Sequence, residues 1–291
     1  MPVDVEVVVV AYGTPELLER CLTTLGAGIS VTVVDNSSDP EVRSAAERHG
    51  ATYLDPERNL GFAAGVNLGL GRCRSSADVL LLNPDATIDR AGVDALVRCL
   101  HARSDRACVA PAQLDPSTGE PARVAWPLPT PFGAWVEAVG FGRLRRGHQF
   151  MIGSVLLLRR SALIELGRFD ERFFLYAEET DWQRRAYERG WSSALCPEVV
   201  ATHVGAGTGG DATERDLHFH ASNERYMRKH HGPGGWWIFR TGVMAGALAR
   251  AICVPGDRGR RAADRFRLYR RGPCRAESEL VEAPHGAGRR D

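Results

Sequence analysis

Hydrophobic positions in the first hundred residues alternate between short continuous runs and helically spaced sets. Val5–Val10 is β-branched throughout apart from Glu6 and predicts a buried strand. Pro15–Leu25 then places Leu17, Leu18, Leu22 and Leu25 on one side of a helix. Val31–Val34 predicts a second strand, ended by Asp35 and Asn36, and Asp39-Pro40 opens a helix that runs to His49. Ala51–Leu54, Phe62–Gly71 and Val79–Leu82 continue as strand, helix and strand. Continuous apolar strands that alternate with helices predict a parallel sheet covered on both faces. Ligands of such sheets bind beyond the carboxyl ends of the strands. That draws attention to Ala11-Tyr12, Asp35-Asn36 and Asn83-Pro84-Asp85.

The pattern changes over residues 115–146. Pro116, Pro121, Pro127, Pro129 and Pro131 interrupt regular structure, while Trp126, Phe132 and Trp135 supply large faces, which reads as a long functional loop or lid. Order resumes with a strand over Gly153–Leu158 and a helix over Arg160–Leu166. A longer helix runs from Glu178 to Arg189, stopped by Gly190. Trp236–Val254 is apolar but broken by Arg240 and Arg250; it reads either as an amphipathic, interfacial helix or as one packed on the domain. Past Pro255 the chain is rich in arginine, and disorder is expected from about Gly272. The expected organisation is a catalytic domain over 1–232, with a nucleotide-binding half at 1–114 and an acceptor half at 115–232. A helical extension over 233–271 and a tail over 272–291 follow.

Composition is that of an ordinary globular chain: 291 residues, 44% hydrophobic and 25% charged. A net charge of +1 supplies no global attraction for nucleic acid, so no nucleic-acid partner is expected. The seven cysteines form an odd set without a C-x-x-C pair and read as reduced thiols of a cytoplasmic protein. Glu6 and the lack of a basic leader make the opening run a strand rather than a signal peptide. No stretch reaches the roughly 18 uninterrupted apolar residues of a membrane helix.

Several segments carry candidate chemistry, each with a plainer alternative. Asp85, at the end of a buried strand, suits a divalent cation bridging diphosphate oxygens, although Asn83-Pro84-Asp85 is also turn-forming. Asp35 could accept the imide N–H of a pyrimidine, cap the next helix or close an Asx turn. Asn59 to Asn67 is glycine-rich without the order of a dinucleotide fingerprint or a P-loop; it could bring a helix N-terminus to phosphate or serve helix–sheet packing. Glu178, Glu179 and Asp181 are either helix-terminal acids or the source of a general base. Three acids within four residues do not set out the two opposed carboxyls of a glycoside hydrolase. His203 could complete a metal site or be structural.

Taken in order, these segments resemble the family 2 glycosyltransferases of the GT-A fold, with the rhamnosyltransferase-like bacterial branch nearest in pattern. The matching pieces are Val7–Tyr12, Val33 to Ser38, Asn59 to Gly69, Leu80 to Asp85, and Gly153 through Trp191, within coverage of about residues 3–232. The resemblance implies an α/β architecture: a Rossmann-like, mostly parallel central sheet flanked by helices, with a C-terminal helical extension. It implies an inverting transfer of a sugar, rhamnose or another hexose or deoxyhexose, from a dTDP- or UDP-linked donor to an acceptor hydroxyl. Mg²⁺ or Mn²⁺ would assist. Asp35 would hold the donor base, with Ala11 and Tyr12 near it, and Asn59, Gly61 and Asn67 would lie along the donor. Asn83 and Asp85 would stand for the D-x-D motif, Asn83 replacing its first Asp; Asp85 would bind metal, with His203 as a further ligand. Glu179 would be the base where the family has Asp, Asp181 being the runner-up. Glu178, Gly153 and Trp126 would face the acceptor, and Trp135 could stack beside Trp126. The acceptor could be a glycan, a lipid-linked glycan or a small molecule; peripheral contact with the inner face of a membrane and homodimerisation stay open. Two rival readings remain: a sugar-nucleotide-using oxidoreductase, disfavoured by the missing fingerprint, and a non-catalytic relative that binds nucleotide sugars or partners.

Overall fold

A computed structural model describes residues 4–142, 147–205 and 211–282. In chain order the elements begin β1 (Val5–Ala11), α1 (Pro15–Leu25), β2 (Ser30–Asp35), α2 (Pro40–Arg48), β3 (Thr52–Leu54) and α3 (Gly61–Leu70). There follow β4 (Asp78–Leu82), β5 (Ala86–Thr87), α4 (Arg90–His101), β6 (Arg106–Leu114), β7 (Pro121–Ala122), β8 (Ala125–Pro127) and α5 (Gly133–Ala138). The last are β9 (Gln149–Met151), β10 (Val155–Leu158), α6 (Arg160–Leu166), α7 (Glu178–Glu188), β11 (Ser192–His203), α8 (Ala212–Cys253), α9 (Asp257–Arg271) and α10 (Pro273–Glu282).

The chain divides into two compact units, one from Met1–Leu128 with His148–Gly210, the other from Pro129–Gly147 with Asp211–Asp291. The first is built on a sheet of order β3-β2-β1-β4-β10-β6-β11-β5, with β7 paired to β6. The pairs β1–β2, β1–β4, β2–β3 and β6–β11 are parallel, whereas β10 runs antiparallel between β4 and β6. Alternation along the strands divides the core. Val7, Val9, Leu80 and Leu82 face Leu18, Leu22, Val42 and Leu96 of α1, α2 and α4. Val8, Val79 and Leu81 face Val66, Leu163 and Trp182 of α3, α6 and α7. Covering both faces requires the near-continuous apolar strands seen in the sequence, since every position is inward. Gly65 and Gly69 let α3 lie close to β1: an added Cβ would fall 2.9 Å and 2.5 Å from the side chains of Val10 and Val8.

In the second unit α8 breaks at Gly232, whose φ of 66° is left-handed and which Pro233 follows. The expected boundary at 232 thus coincides with a break inside a helix, while the unit itself takes in residues on both sides of it.

Three expectations are corrected. Segment 115–146 is not one lid: β7 and β8 belong to the first unit, and α5 to the second. Pro273–Glu282 is helical rather than disordered, because Glu277 is buried on it and accepts from His218 Nδ1 (2.7 Å) and from Arg225 of α8. Residues 283–291 of the expected tail lie outside the described residues. Finally, Cys99 of α4 and Cys196 of β11 form a disulfide, with Cα atoms 6.5 Å apart, where reduced thiols were expected. Their separation of 97 residues hides that proximity from any reading of spacing.

Candidate active site

β1 and β2 run in register and end side by side, Ala11 beside Asp35, and Asn36 N–H donates to the Ala11 carbonyl at 2.9 Å. Tyr12 follows, exposed, and Gly13 N–H donates to Ser37 Oγ at 3.0 Å. Asp35 itself is fully buried. Its Oδ1 accepts from Ser37 N–H (2.9 Å) and Ser37 Oγ (2.5 Å), its Oδ2 from Asp39 N–H and Tyr53 Oη (2.8 Å each). Two donors per oxygen exhaust its lone pairs. Asp35 therefore closes the Asx turn after β2, the plainer of its sequence readings, and could meet a pyrimidine imide only by giving up one of these bonds. Burial and the bond to Asp35 push the Tyr53 phenol up to about 12.

The glycine-rich segment is stapled on both sides. Asn36 Nδ2 donates to Gly61 O (3.0 Å), Leu60 N–H donates to Asn36 Oδ1 (3.3 Å), and Asn59 Oδ1 accepts from Gly61 N–H (2.9 Å). Gly61 has a φ of 78° and lies so close to Phe174 that an added Cβ would sit 2.3 Å from its carbonyl oxygen; Phe62 N–H donates to that oxygen at 2.7 Å. Only glycine fits there. Asn67 is buried. Its Oδ1 accepts from Phe169 N–H (3.0 Å), and its Nδ2 donates to Phe169 O and Glu171 Oε1 (2.9 Å each). Asn67 is thus a clamp between α3 and the segment before α7, its amide engaged at both ends.

Asn83 leaves β4 with its N–H on Ser154 O (2.8 Å), and Pro84 and Asp85 are buried beneath it. Both carboxylate oxygens of Asp85 are buried without a hydrogen-bond partner, and His203 Nε2, at the end of β11, stands 3.3 Å from Oδ1. β5 pairs with that end of β11, Ala86 opposite His203, which fixes the approach. A buried carboxylate without donors is costly unless a cation shares the space. Carboxylate and neutral imidazole are fitting ligands for a divalent ion that keeps its remaining positions for phosphate oxygens. The two residues therefore fit the metal implied by sequence.

α7 opens on two consecutive residues in the left-handed region, Tyr176 (φ 68°) and Ala177 (φ 66°), which cost roughly 1–2 kcal/mol each. They deliver Glu178 and Glu179 as the first residues of the helix. Burial raises the Glu178 carboxyl well above the usual range, and the neighbouring Glu179 adds to it. Burial likewise pushes Glu179 up to about 7, against the opposing pull of its own N–H and those of Thr180 and Gly153. One oxygen of each carboxyl, Oε2, is buried without a partner. Gly153 lies against this helix start: an added Cβ would make ordinary contact, at 3.7 Å, with both Glu179 Cβ and Phe62 Cε1. Asp181 is fully buried and paired with Arg185 (3.0 Å), which in turn donates to Leu166 O and Arg168 O. The runner-up base is thus engaged in a buried ion pair.

These contacts form one chain. Asn83 meets Ser154, Gly153 meets Glu179 and Phe62, and Gly61 meets Asn36 beside Ala11. The carboxyl ends of β1, β2 and β4 are thereby linked, contact by contact, to the start of α7, with Asp85 beside an imidazole after β4 and an acid raised to about 7 at the helix start.

The family profile described as Glycosyl transferase family 2 matches residues 6–167, more than half of the chain. The chain belongs to glycosyl transferase family 2. Among its relatives is the N-acetylglucosaminyl-diphospho-decaprenol L-rhamnosyltransferase of Mycobacterium tuberculosis, 29% identical over 79% of this chain and 85% of that protein. A low-salt glycan biosynthesis hexosyltransferase of Haloferax volcanii is 27% identical over 69% and 67%. Solved structures share the fold. Glucosyl-3-phosphoglycerate synthase from Mycobacterium tuberculosis, solved with Mn²⁺ and uridine diphosphate, matches with a TM-score of 0.53 over 77% of this chain and 79% of its own, at 16% identity. GalNAc-T7, solved with UDP, GalNAc and Mn²⁺, matches with a TM-score of 0.60 at 14% identity; the alignment covers 97% of this chain but 58% of that one. The fold is GT-A, as the resemblance implied.

Trp126 is 42% exposed on β8, which pairs antiparallel with β9, and the Arg123 guanidinium lies 3.8 Å from its ring centroid. Trp135 lies in the other unit, where its Nε1 donates to Ile238 O (2.9 Å). Two residues were not singled out from sequence. The Thr14 hydroxyl is buried without a partner just beyond β1, and nothing but a position after a strand could have marked it. Gln183, buried on α7, accepts from Met151 N–H (2.8 Å) and donates to Met151 O (2.7 Å) and Glu179 O (3.2 Å). Its amide acts as an added strand rung that hooks the helix of Glu179 to β9; a glutamine in a charged helix gives no sign of this.

Proposed function

We propose that this glycosyltransferase moves a hexose or deoxyhexose, rhamnose among them, from a dTDP- or UDP-linked donor to an acceptor hydroxyl with inversion at the anomeric carbon. The observation that carries the reading is the pairing, within one site, of an orphaned Asp85 carboxylate beside His203 with a Glu179 carboxyl near neutrality. Asp85 and His203 would hold Mg²⁺ or Mn²⁺, which when bound neutralises charge on the donor's diphosphate. The acceptor oxygen attacks C1 on the face opposite the diphosphate. The new O–C1 bond forms as the C1–O(phosphate) bond breaks, the nucleoside diphosphate leaves with the bonding pair, and Glu179 takes the hydroxyl proton. A base near pH 7 both captures that proton and is ionised at working pH. Glu178, whose carboxyl burial and the neighbouring Glu179 both raise, stands next to the base on the acceptor side. Ala11, Tyr12 and the Asn59–Gly61 turn line the donor side, and Asp35 acts there by shaping the turn at Ser37.

The name of the mycobacterial relative, which carries an N-acetylglucosaminyl-diphospho-decaprenol acceptor, supports a lipid-linked glycan as acceptor here. Trp126 would stack on a sugar ring of that acceptor. Trp126→Ala should then raise acceptor KM several-fold with donor KM unchanged; an unchanged acceptor KM removes Trp126 from the site.

Nucleotide-dependent thermal stabilisation tests the metal site. UDP or dTDP with Mn²⁺ at about a hundred times Kd should stabilise the protein by about 2.7 kcal/mol. Asp85→Asn should abolish the Mn²⁺-dependent part and His203→Ala should weaken it. Full Mn²⁺-dependent stabilisation of Asp85→Asn would refute the assignment.

A further inference from the structure

The second unit presents an apolar face bordered by arginine. In the half of α8 after the break, residues 233–253, Gly242 packs on Trp135 and Gly246 on Ala138, so α5 occupies one side. Trp236 stacks near Tyr269 and Arg240 donates to the carbonyls of Tyr269 and Arg270, so α9 occupies another. Trp237, Met244, Leu248 and Ile252 recur at seven- and four-residue steps and share a third side. Trp237 is 58%, Leu248 46% and Ile252 75% exposed, and Val139 and Phe141, which follow α5, are exposed as well. The neighbouring helix α9 holds seven arginines against two aspartates in fifteen residues. Gly259, Ala262 and Tyr269 turn inward, which leaves Arg258, Arg261 and Arg265 along one flank of α9 and Arg260, Arg267 and Arg270 along the other. Arginines therefore border the apolar stripe whichever flank adjoins it.

We propose that this face docks on an anionic lipid surface, lying in the headgroup region rather than crossing it. The proposal deepens the reading that the acceptor is lipid-linked and names the partner of the second unit. No described helix is long and apolar enough to span a membrane, and the stripe is one-sided, as an interfacial helix requires. Trp237, with the Arg240 guanidinium 5.1 Å from its ring centroid, combines an apolar body with a polar rim suited to the headgroup level. Charge selects among occupants. A symmetric second copy would bring two arginine-rich helices against each other, whereas an anionic bilayer offers each arginine a counter-charge.

The test is co-sedimentation of the full chain with vesicles of phosphatidylglycerol and phosphatidylcholine, compared with phosphatidylcholine alone. Wild type should bind the anionic vesicles at least about tenfold better, with an advantage that declines as salt rises. The exposed double variant Leu248→Ser/Ile252→Ser should lose about tenfold in binding. So should Arg261→Gln/Arg267→Gln/Arg270→Gln, with both variants keeping the wild-type unfolding temperature and donor hydrolysis rate. Equal binding to the two vesicle types, or unaltered binding by both variants, overturns the proposal. So does a dimer that Leu248→Ser/Ile252→Ser converts to monomer without a change in vesicle binding. Because neither readout depends on sugar transfer, failure here leaves the catalytic reading standing, and a transfer-dead protein that still binds vesicles leaves this one standing.

Discussion

Replacing Glu179 with glutamine should make the protein more stable and inactive at once, and the stability gain should depend on pH in a fixed direction. Burial moves this carboxyl from an ordinary value near 4.5 to about 7. The folded state therefore holds a proton that the unfolded state has released between those two values. Stability falls across that window as pH rises, by about 3 kcal/mol as an upper bound, because solvent at the partly buried carboxyl screens some of the penalty. Glutamine carries no charge to desolvate. Glu179→Gln should thus match wild type at pH 4, gain progressively from about 4.5 to 7, and keep its full advantage above 7. At pH 8 a gain of that size corresponds to an unfolding temperature raised by about 5 °C. Glu178 shares the burial and repels Glu179, so the two titrate as a pair and the window is broader than for an isolated group. The assay is thermal unfolding from pH 4 to 8.5, together with donor turnover on the same samples. Wild-type turnover should climb with pH to a plateau above about 7, since the carboxylate is the working form, and the variant should lose about 10²–10⁴-fold. A stability difference that is the same at pH 4 and pH 8, or a variant less stable at pH 8, would refute the burial argument. Retained turnover would refute the base.

Two further substitutions separate positioning from binding. Asn67→Ala leaves the buried N–H and carbonyl of Phe169 without their partner, and should cost about 2–3 kcal/mol of stability with donor KM unchanged; a large rise in donor KM with stability intact would return Asn67 to the donor site. Gln183→Leu removes the rung between α7 and β9; it should lower kcat more than either KM and shift the pH midpoint of turnover, because the Glu179 carboxyl loses its fixed approach to Gly153. A uniform loss of active protein with an unchanged pH profile and kcat per folded molecule would reduce Gln183 to packing.

The first hundred residues were legible because their information is local. β1 to β4 and their helices follow from runs of valine and leucine, from Pro15 and Pro40 at helix starts, and from the polar residues that end each strand. The remainder is built from pairings between distant segments that local pattern does not announce. β6 carries Pro111 within a strand paired on both sides, and β11 is broken by a shift between Cys196 and Val200. The strand of the site that runs antiparallel, β10, looks like its parallel neighbours in composition. The arginine-rich stretch after Pro255 lacks an apolar stripe of ordinary width, because α9 turns only Gly259, Ala262 and Tyr269 fully inward. Asp85, His203 and Glu179 were reachable from the family pattern, whereas the disulfide and the engagement of Asp35 depend on partners that only folding brings near.

Amide side chains explain the engagement of Asn67 and the silence of Gln183. An asparagine or glutamine carries a donor pair and an acceptor on one planar group, so it can substitute for a peptide unit and satisfy a backbone N–H and carbonyl together. Asn36 does this for the turn at Leu60 and Gly61, Asn67 for Phe169, and Gln183 for Met151. Asn36 and Asn67 hold backbone before α3 and α7, and Gln183 ties α7 to the strand β9 beside the pair of glutamates. The two left-handed residues before α7 and that buried pair oppose folding, so the surrounding loops must be held by bonds stronger in aggregate than the strain they contain. Carboxylates could not replace the amides here, since each accepts but cannot donate, and a further buried charge would add to the repulsion between Glu178 and Glu179. A polar residue beside a family motif therefore has two physical uses, to touch the ligand or to hold the backbone that does. The geometry of the amide, with both of its ends already occupied, assigns these three to the second.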